Sequence, residues 1–203
     1  MARPASMTRR PWNHNLHYLP VLLAAAPPGC NRALDVGCGE GILARELQKT
    51  IPHVTGIDLD ETTLAKAKSQ DCDVDYVLGD FLTHPFEPGS FDLVVSVAAL
   101  HHMEPERTLV RMTDLLRPGG VLAILGLARD RYPADLARSV LATVVSRAYR
   151  LRHTAWESTA PTIWPPAHTY AEIRSTAASL LPGMHFRRHL LWYSIVWTKP
   201  VRA

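Results

Sequence analysis

Residues 33–41 read ALDVGCGEG. A short apolar run stops at a loop with glycine at three of five positions, Gly37, Gly39 and Gly41, and an acid, Asp35, stands just before the first of them. Glycine admits backbone turns closed to other residues and lets a ligand approach the chain closely. In an open parallel sheet, ligands lie beyond the carboxyl ends of the strands, where strand order reverses. The stretch therefore predicts a buried strand, a tight loop, a helix, and a ligand at the loop.

The chain around it supports that reading. RALDV (32–36), HVTGI (53–57), VDYVL (74–78), FDLVVSV (91–97) and VLAILGL (121–127) have the apolar, β-branched character of buried strands. Amphipathic helices are predicted between them, over 42–50, over 61–70 with Asp60 as its cap, and from Pro105 to Leu116, where RPGG (117–120) ends it. This alternation is that of an α/β protein with helices on both faces of a parallel sheet. Beyond residue 127 the rhythm changes. A long helix is predicted from Pro133 to about Arg150, then a Trp- and Pro-rich linker over 151–168. Thr169 and Glu172 form a capping box for a helix ending near Leu181, and residues 184–200 hold two strand-like runs, read as an antiparallel pair. No repeat divides the chain. Residues 1–203 are read as a single domain, with an N-terminal lid or helical segment (1–31), a core (32–127), and C-terminal helices with the strand pair (128–203).

Composition narrows the class. With 203 residues and 47 % apolar content the chain can bury a full core. No apolar window is long enough to span a membrane. Cys30, Cys38 and Cys72 fit neither a disulfide framework nor a zinc site, and are expected as free thiols in the cytoplasm. Arg9-Arg10 ahead of a short apolar run outlines an export signal, but polar residues 13–15 and His17, with Pro20 inside the run, argue against it. Residues 1–126 hold 11 Lys and Arg against 15 Asp and Glu, whereas residues 127–203 hold 11 against 4. The basic tail suits an anionic acceptor. It lacks the interleaved aromatics of a base-stacking platform, so no nucleic-acid partner is expected.

Three features choose the ligand. Asp58 lies 19 residues past Gly39, at the end of the second strand, where a carboxylate can accept from both hydroxyls of a ribose. A dinucleotide loop of the form GxGxxG would need glycine at 42, and Ile42 stands there. Asp35 would also repel a pyrophosphate but attract an ammonium or sulfonium cation. The ligand is expected to be adenosine-like at one end and cationic at the other.

The series DVGCGEG, GID, GDF (79–81), FDLVVSVAALHHM (91–103) and LLRPGG (115–120) resembles the class I S-adenosylmethionine-dependent methyltransferases. The resemblance implies a Rossmann-like three-layer sandwich with a seven-stranded, mostly parallel sheet of order 3-2-1-4-5-7-6, strand 7 antiparallel. It implies S-adenosyl-L-methionine as cofactor and S-adenosyl-L-homocysteine as product. Carried over, Gly37, Cys38 and Gly39 pass under the methionine and ribose, and Asp35 orders the loop and the amino group. Asp58 holds the ribose, Leu59 and Phe81 flank the adenine, Asp80 accepts from its amino group, and Ser96 or Val97 borders the methyl group. His101 and His102 follow strand four and are the candidate general bases. Trp12, His14, Tyr18, Trp156 and Trp164 are candidates for the acceptor pocket. No metal is expected. The acceptor is expected to be a small molecule, methylated on O, N or C, and the protein a monomer or homodimer without a membrane partner. The competing readings are an NAD(P)-dependent oxidoreductase, a cofactor-binding protein without catalysis, and a nucleic-acid methyltransferase. SVAA stands where many enzymes of the last kind carry an N/D-P-P-Y/F tetrapeptide.

Overall fold

The computed structural model describes residues 11–12, 14–70, 72–133, 135, 140–141, 143, 145, 147, 154–155, 164–190 and 192–201. In chain order the elements are β1 (Pro11–Trp12), α1 (His14–Leu23), β2 (Arg32–Val36), α2 (Ile42–Gln48), β3 (His53–Asp58), α3 (Glu61–Lys68), β4 (Asp75–Leu78) and β5 (Phe91–Val97). A 3-10 turn at Leu100–His102 leads to α4 (Pro105–Leu115), β6 (Leu116–Gly126), β7 (Thr154–Ala155), α5 (Tyr170–Leu180), β8 (His185–Arg188) and β9 (Tyr193–Thr198).

Seven strands form one sheet in the order β4-β3-β2-β5-β6-β9-β8. Numbered along the chain, that order is 3-2-1-4-5-7-6. The first five strands are mutually parallel, and β9 runs antiparallel to both β6 and β8. A separate two-stranded piece pairs β1 with β7.

Period-two alternation buries both faces. Leu34, Val36, Val94, Leu122 and Ile124 point into one layer, filled by Leu109 and Met112 of α4 and by Ile173 and Ala177 of α5. Ala33, Leu93, Val95, Ala123 and Leu125 point into the other, filled by Leu22 of α1, Leu43 and Leu47 of α2, and Leu64 of α3. The near-continuous apolar sequence of β5 follows from its central position. Asp60 caps α3 by accepting from the Thr63 amide at 2.7 Å, and the Thr169–Glu172 capping box is present. The sequence-predicted strands and helix starts agree with these elements. RPGG is the exception. Instead of a plain helix stop, it lies inside β6, where pairing with β5 slips between Phe91 and Leu93. Of the long helix expected from Pro133, Pro133 and Asp135 lie in a turn, residues 140–141, 143, 145 and 147 are helical, and the rest falls outside the described residues. No helix among the described residues is long and apolar enough to cross a membrane.

At the amino end of the sheet Asp92, 3 % exposed, accepts from the amides of Asn31 and Arg32 at 2.7 and 2.8 Å and pairs with Arg117. This carboxylate fixes the start of β2 against β5 and against the irregular start of β6. Lys199 donates to the carbonyls of Thr113 and Leu116, both at 2.7 Å, and so satisfies the end of α4 from the tail of β9. Replacing Asp92 by Ala leaves two amides and a guanidinium without their acceptor. It should destabilise the fold by about 2–4 kcal/mol in denaturant unfolding. A loss under about 0.5 kcal/mol, the usual range for surface substitutions, would contradict this role.

Candidate functional site

The carboxyl ends of β2, β3 and β5 meet at the glycine loop. The amides of Gly37 and Cys38 both donate to the Ile57 carbonyl, at 2.9 and 3.1 Å, which bends the chain over the end of β3. Gly37 has φ 71° and lies so close to the turn after β5 that a Cβ there would strike the Ala99 methyl. Gly41, at φ 73°, opens α2 against Tyr76 of β4, whose hydroxyl donates to the Gly41 carbonyl at 3.3 Å. The loop is therefore shaped from three strands. Ala98, the residue after β5, has φ 55° and turns the chain back toward it.

Asp58 is the carboxylate that orders this loop. One oxygen accepts from the Gly39 amide at 2.7 Å and the other from the Asp60 amide at 2.9 Å. Asp35, expected from the resemblance to order the loop, has the Ala44 amide of α2 beside its carboxyl group instead. Asp35 is 1 % exposed, and its Oδ2 is buried without a hydrogen-bond partner. Burial, and then the charge of Asp58, push its pKa up to about 7. Burial likewise raises the thiol of Cys38, which packs on Gly56. Cys30, Cys38 and Cys72 are all free thiols.

The remaining expected contacts separate into two groups. Leu59 is 71 % exposed beside Asp58, an apolar surface open to a ligand. Asp80 accepts from the Leu82 amide at 2.9 Å through Oδ1 and is half-buried. Val97 is half-buried at the end of β5. Phe81, by contrast, is buried among Leu34, Ile57 and Leu100 in the core. The Ser96 hydroxyl donates to the Val36 carbonyl at 2.9 Å and ties β5 to β2. Both positions stabilise the edge of the pocket from within.

His101 and His102 occupy the 3-10 turn after β5, with ring centroids 4.0 Å apart. His101 is half-buried, its Nδ1 has no partner, and burial, then repulsion from His102, lower its pKa to about 4. Burial lowers His102 as well, opposed by the charge of Asp58. Both rings are therefore neutral near pH 7, and His102 shares a field with the acid at the loop. Among the described residues no cluster of three His, Cys, Asp or Glu side chains gathers as a metal site.

Of the acceptor-pocket candidates, the Trp12 and His14 side chains and all of Trp156 lie outside the described residues. The Tyr18 ring of α1 lies tilted 4.7 Å from the ring of His189, which meets the buried Ser194 hydroxyl of β9 at 2.9 Å. This contact holds the N-terminal helix near the carboxyl end of β6. Trp164 is 72 % exposed. The basic tail is partly neutralised internally: Arg188 pairs with Asp130 and Asp135 and lies 3.9 Å over the Tyr170 ring.

The packing of Gly37 on Ala99 generates a test. Gly37→Ala should cost about 2–4 kcal/mol, from its left-handed φ and from the clash. In a double-mutant cycle Ala99→Gly should recover the clash and leave the backbone cost. Equal destabilisation with and without Ala99 would show that the loop does not rest on that methyl.

Residues 34–124 match the methyltransferase domain family. An uncharacterised methyltransferase of Mycobacterium bovis is 39 % identical over 196 residues, covering 95 % of this chain and 99 % of that one. A methyltransferase structure from Haloferax volcanii, solved with a methyltransferase activator, aligns with a TM-score of 0.64 at 19 % identity, over 92 % of this chain and 90 % of that one. Haemonchus contortus phosphoethanolamine N-methyltransferase 2, solved with phosphomonomethylethanolamine and S-adenosylhomocysteine, aligns with a TM-score of 0.64 at 19 % identity, over 96 % of this chain and 54 % of that one. At that identity the two structures speak for the fold.

Proposed function

Because the chain belongs to the class I S-adenosylmethionine-dependent methyltransferases, we propose that it binds S-adenosylmethionine at the loop 37–41 and methylates an O, N or C atom of a small-molecule acceptor. The observation that carries the cofactor assignment is the pair of carboxylates at the loop. Asp35, with an orphaned buried oxygen, and Asp58 make a site for a cation and a poor one for a pyrophosphate. Ile42, which stands where GxGxxG needs its third glycine, sits at the first position of α2 and adds side-chain bulk where a dinucleotide loop has none.

When bound, S-adenosylmethionine supplies a methyl carbon activated by the adjoining sulfonium. The residues of this chain orient and shield. Asp58 is held by two backbone amides in one rotamer, with lone pairs left for the ribose hydroxyls. Leu59 offers an apolar face to the adenine, and Asp80 a carboxylate to its amino group. Asp35 faces the cationic end. The stiff turn at Ala98 and Ala99 fixes the wall where an acceptor must lie in line with the methyl.

His102 is the better placed base for an acceptor that must lose a proton. A neutral imidazole accepts readily, and Asp58 favours its protonated form, whereas the half-buried His101 is a weak base. The small-molecule assignment is supported by the bound phosphomonomethylethanolamine of the Haemonchus contortus enzyme. Tyr18 and Trp164 are the acceptor-side candidates among the described residues.

Calorimetric titration tests the cofactor. S-adenosylmethionine and S-adenosylhomocysteine should both bind, NAD should not, and Asp58→Ala should weaken both adenosyl ligands at least tenfold, the loss expected for a charged hydrogen-bonding group. Binding of NAD alone would restore the oxidoreductase reading. With a panel of small O- and N-acceptors, His102→Ala should lower kcat by about 10²–10⁴-fold where the acceptor must be deprotonated, and His101→Ala by less. The opposite order would assign the proton transfer to His101.

A further inference from the structure

Asp35 raises a question that cofactor orientation alone does not answer. It is buried in the layer of α2, beneath the loop, with one oxygen lacking any partner. The groups facing it can be named from each neighbouring element. β3 presents Asp58, the loop presents the Cys38 thiol, and α2 presents the Ala44 amide. β5 presents the apolar Val95, the register partner of Asp35. The turn beyond it carries His101 and His102, both held neutral, and of the two acids His102 feels the charge of Asp58. The nearby cations are engaged elsewhere: Arg45 donates to the Glu40 carbonyl at 2.7 Å, and Lys66 pairs with Glu40 at 3.6 Å. Two carboxyl groups thus share the loop, and among the described residues no Lys or Arg side chain balances them.

We propose that Asp35 exchanges its own proton for the positive charge of the cofactor, so that the site recognises the charge of its ligand. The proposal rests on the S-adenosylmethionine reading above. With no cation beside it, the carboxyl group keeps its proton, because a second buried negative charge next to Asp58 is costly. When a cationic ligand enters, the proton passes to solvent and the carboxylate remains as the counter-ion. Binding therefore releases a proton, and the affinity for a cationic adenosyl ligand rises with pH until Asp35 is ionised in the free protein. With that ionisation at about 7, the affinity should fall about tenfold between pH 8 and pH 6. Asp35 thereby becomes the residue that separates charged from neutral adenosyl compounds.

The test is calorimetry at pH 7 in two buffers of different ionisation enthalpy, which gives the protons released per ligand bound. The probes are S-adenosylmethionine, S-adenosylhomocysteine and the uncharged 5′-methylthioadenosine, each on wild type and on Asp35→Asn. The wild type should release a fraction of a proton with the first two and none with the third. In Asp35→Asn the release should disappear and the pH profile of affinity flatten. That difference separates Asp35 from the ligand's own amino group and from the two histidines. A ¹³C carboxyl titration of Asp35 in the wild type, moving to lower pH with S-adenosylmethionine, reads the same event without a substitution. Equal release in both proteins, or binding with no release and an unmoved carboxyl titration, would overturn the proposal and leave the cofactor assignment standing. If no adenosyl ligand binds the wild type, the cofactor reading fails, and this proposal with it.

Discussion

The Ile57 carbonyl receives two amides, those of Gly37 and Cys38, and the geometry of the site follows from that junction. It joins the end of β3 to the start of the glycine loop, so the two acids that flank the loop are carried by adjacent strands. Asp58 follows Ile57 directly, and Asp35 stands two residues before Gly37. Neither acid can move away from the other without breaking a strand register that pairs Asp35 with Gly56 and Val36 with Ile57. The electrostatic character of the pocket is thus a property of the backbone. A site built this way suits a cation, since proximity of like charges is imposed by the sheet rather than by side-chain choice.

Much of the molecule serves to keep that junction still. Ser96 ties β5 to β2 at the same edge, Tyr76 props Gly41 from β4, and the Ala99 methyl fills the space that a side chain at residue 37 would need. At the other end of the sheet Asp92 and Arg117 hold the same strands in register. The histidine turn then emerges from β5 at a fixed distance from the loop. A reaction that demands alignment more than strong acid–base chemistry is well served by such stiffness.

How far this was legible in the sequence depended on the range of each interaction. Signals confined to a few residues read correctly: Asp60 as a cap, Thr169 with Glu172 as a capping box, the apolar run of β5 as a central strand, and the closing antiparallel pair. The ordered motifs from residue 33 to residue 120 carried the strand order through family resemblance, which no periodicity would have supplied. Interactions between distant segments left no local mark. Lys199 reaches carbonyls more than eighty positions earlier, Asp92 holds amides about sixty positions earlier, and Trp192 is buried against the layer of α1 and α2. The resemblance puts Ser96 and Phe81 at the ligand, Ser96 at the end of β5 and Phe81 in the turn after β4. Their burial and their partners, visible only in three dimensions, turn them inward. That Asp58 and not Asp35 orders the loop has the same origin: which acid meets the Gly39 amide depends on the pairing of β2 with β3.

The most direct measurement is a crystal structure of the chain grown with S-adenosylhomocysteine. The account predicts the ribose hydroxyls on Asp58, the adenine against Leu59, and the amino group within reach of the Asp35 carboxylate. A ligand seated elsewhere, or a dinucleotide bound across residues 37–41 with its phosphates beside Asp35, would contradict it.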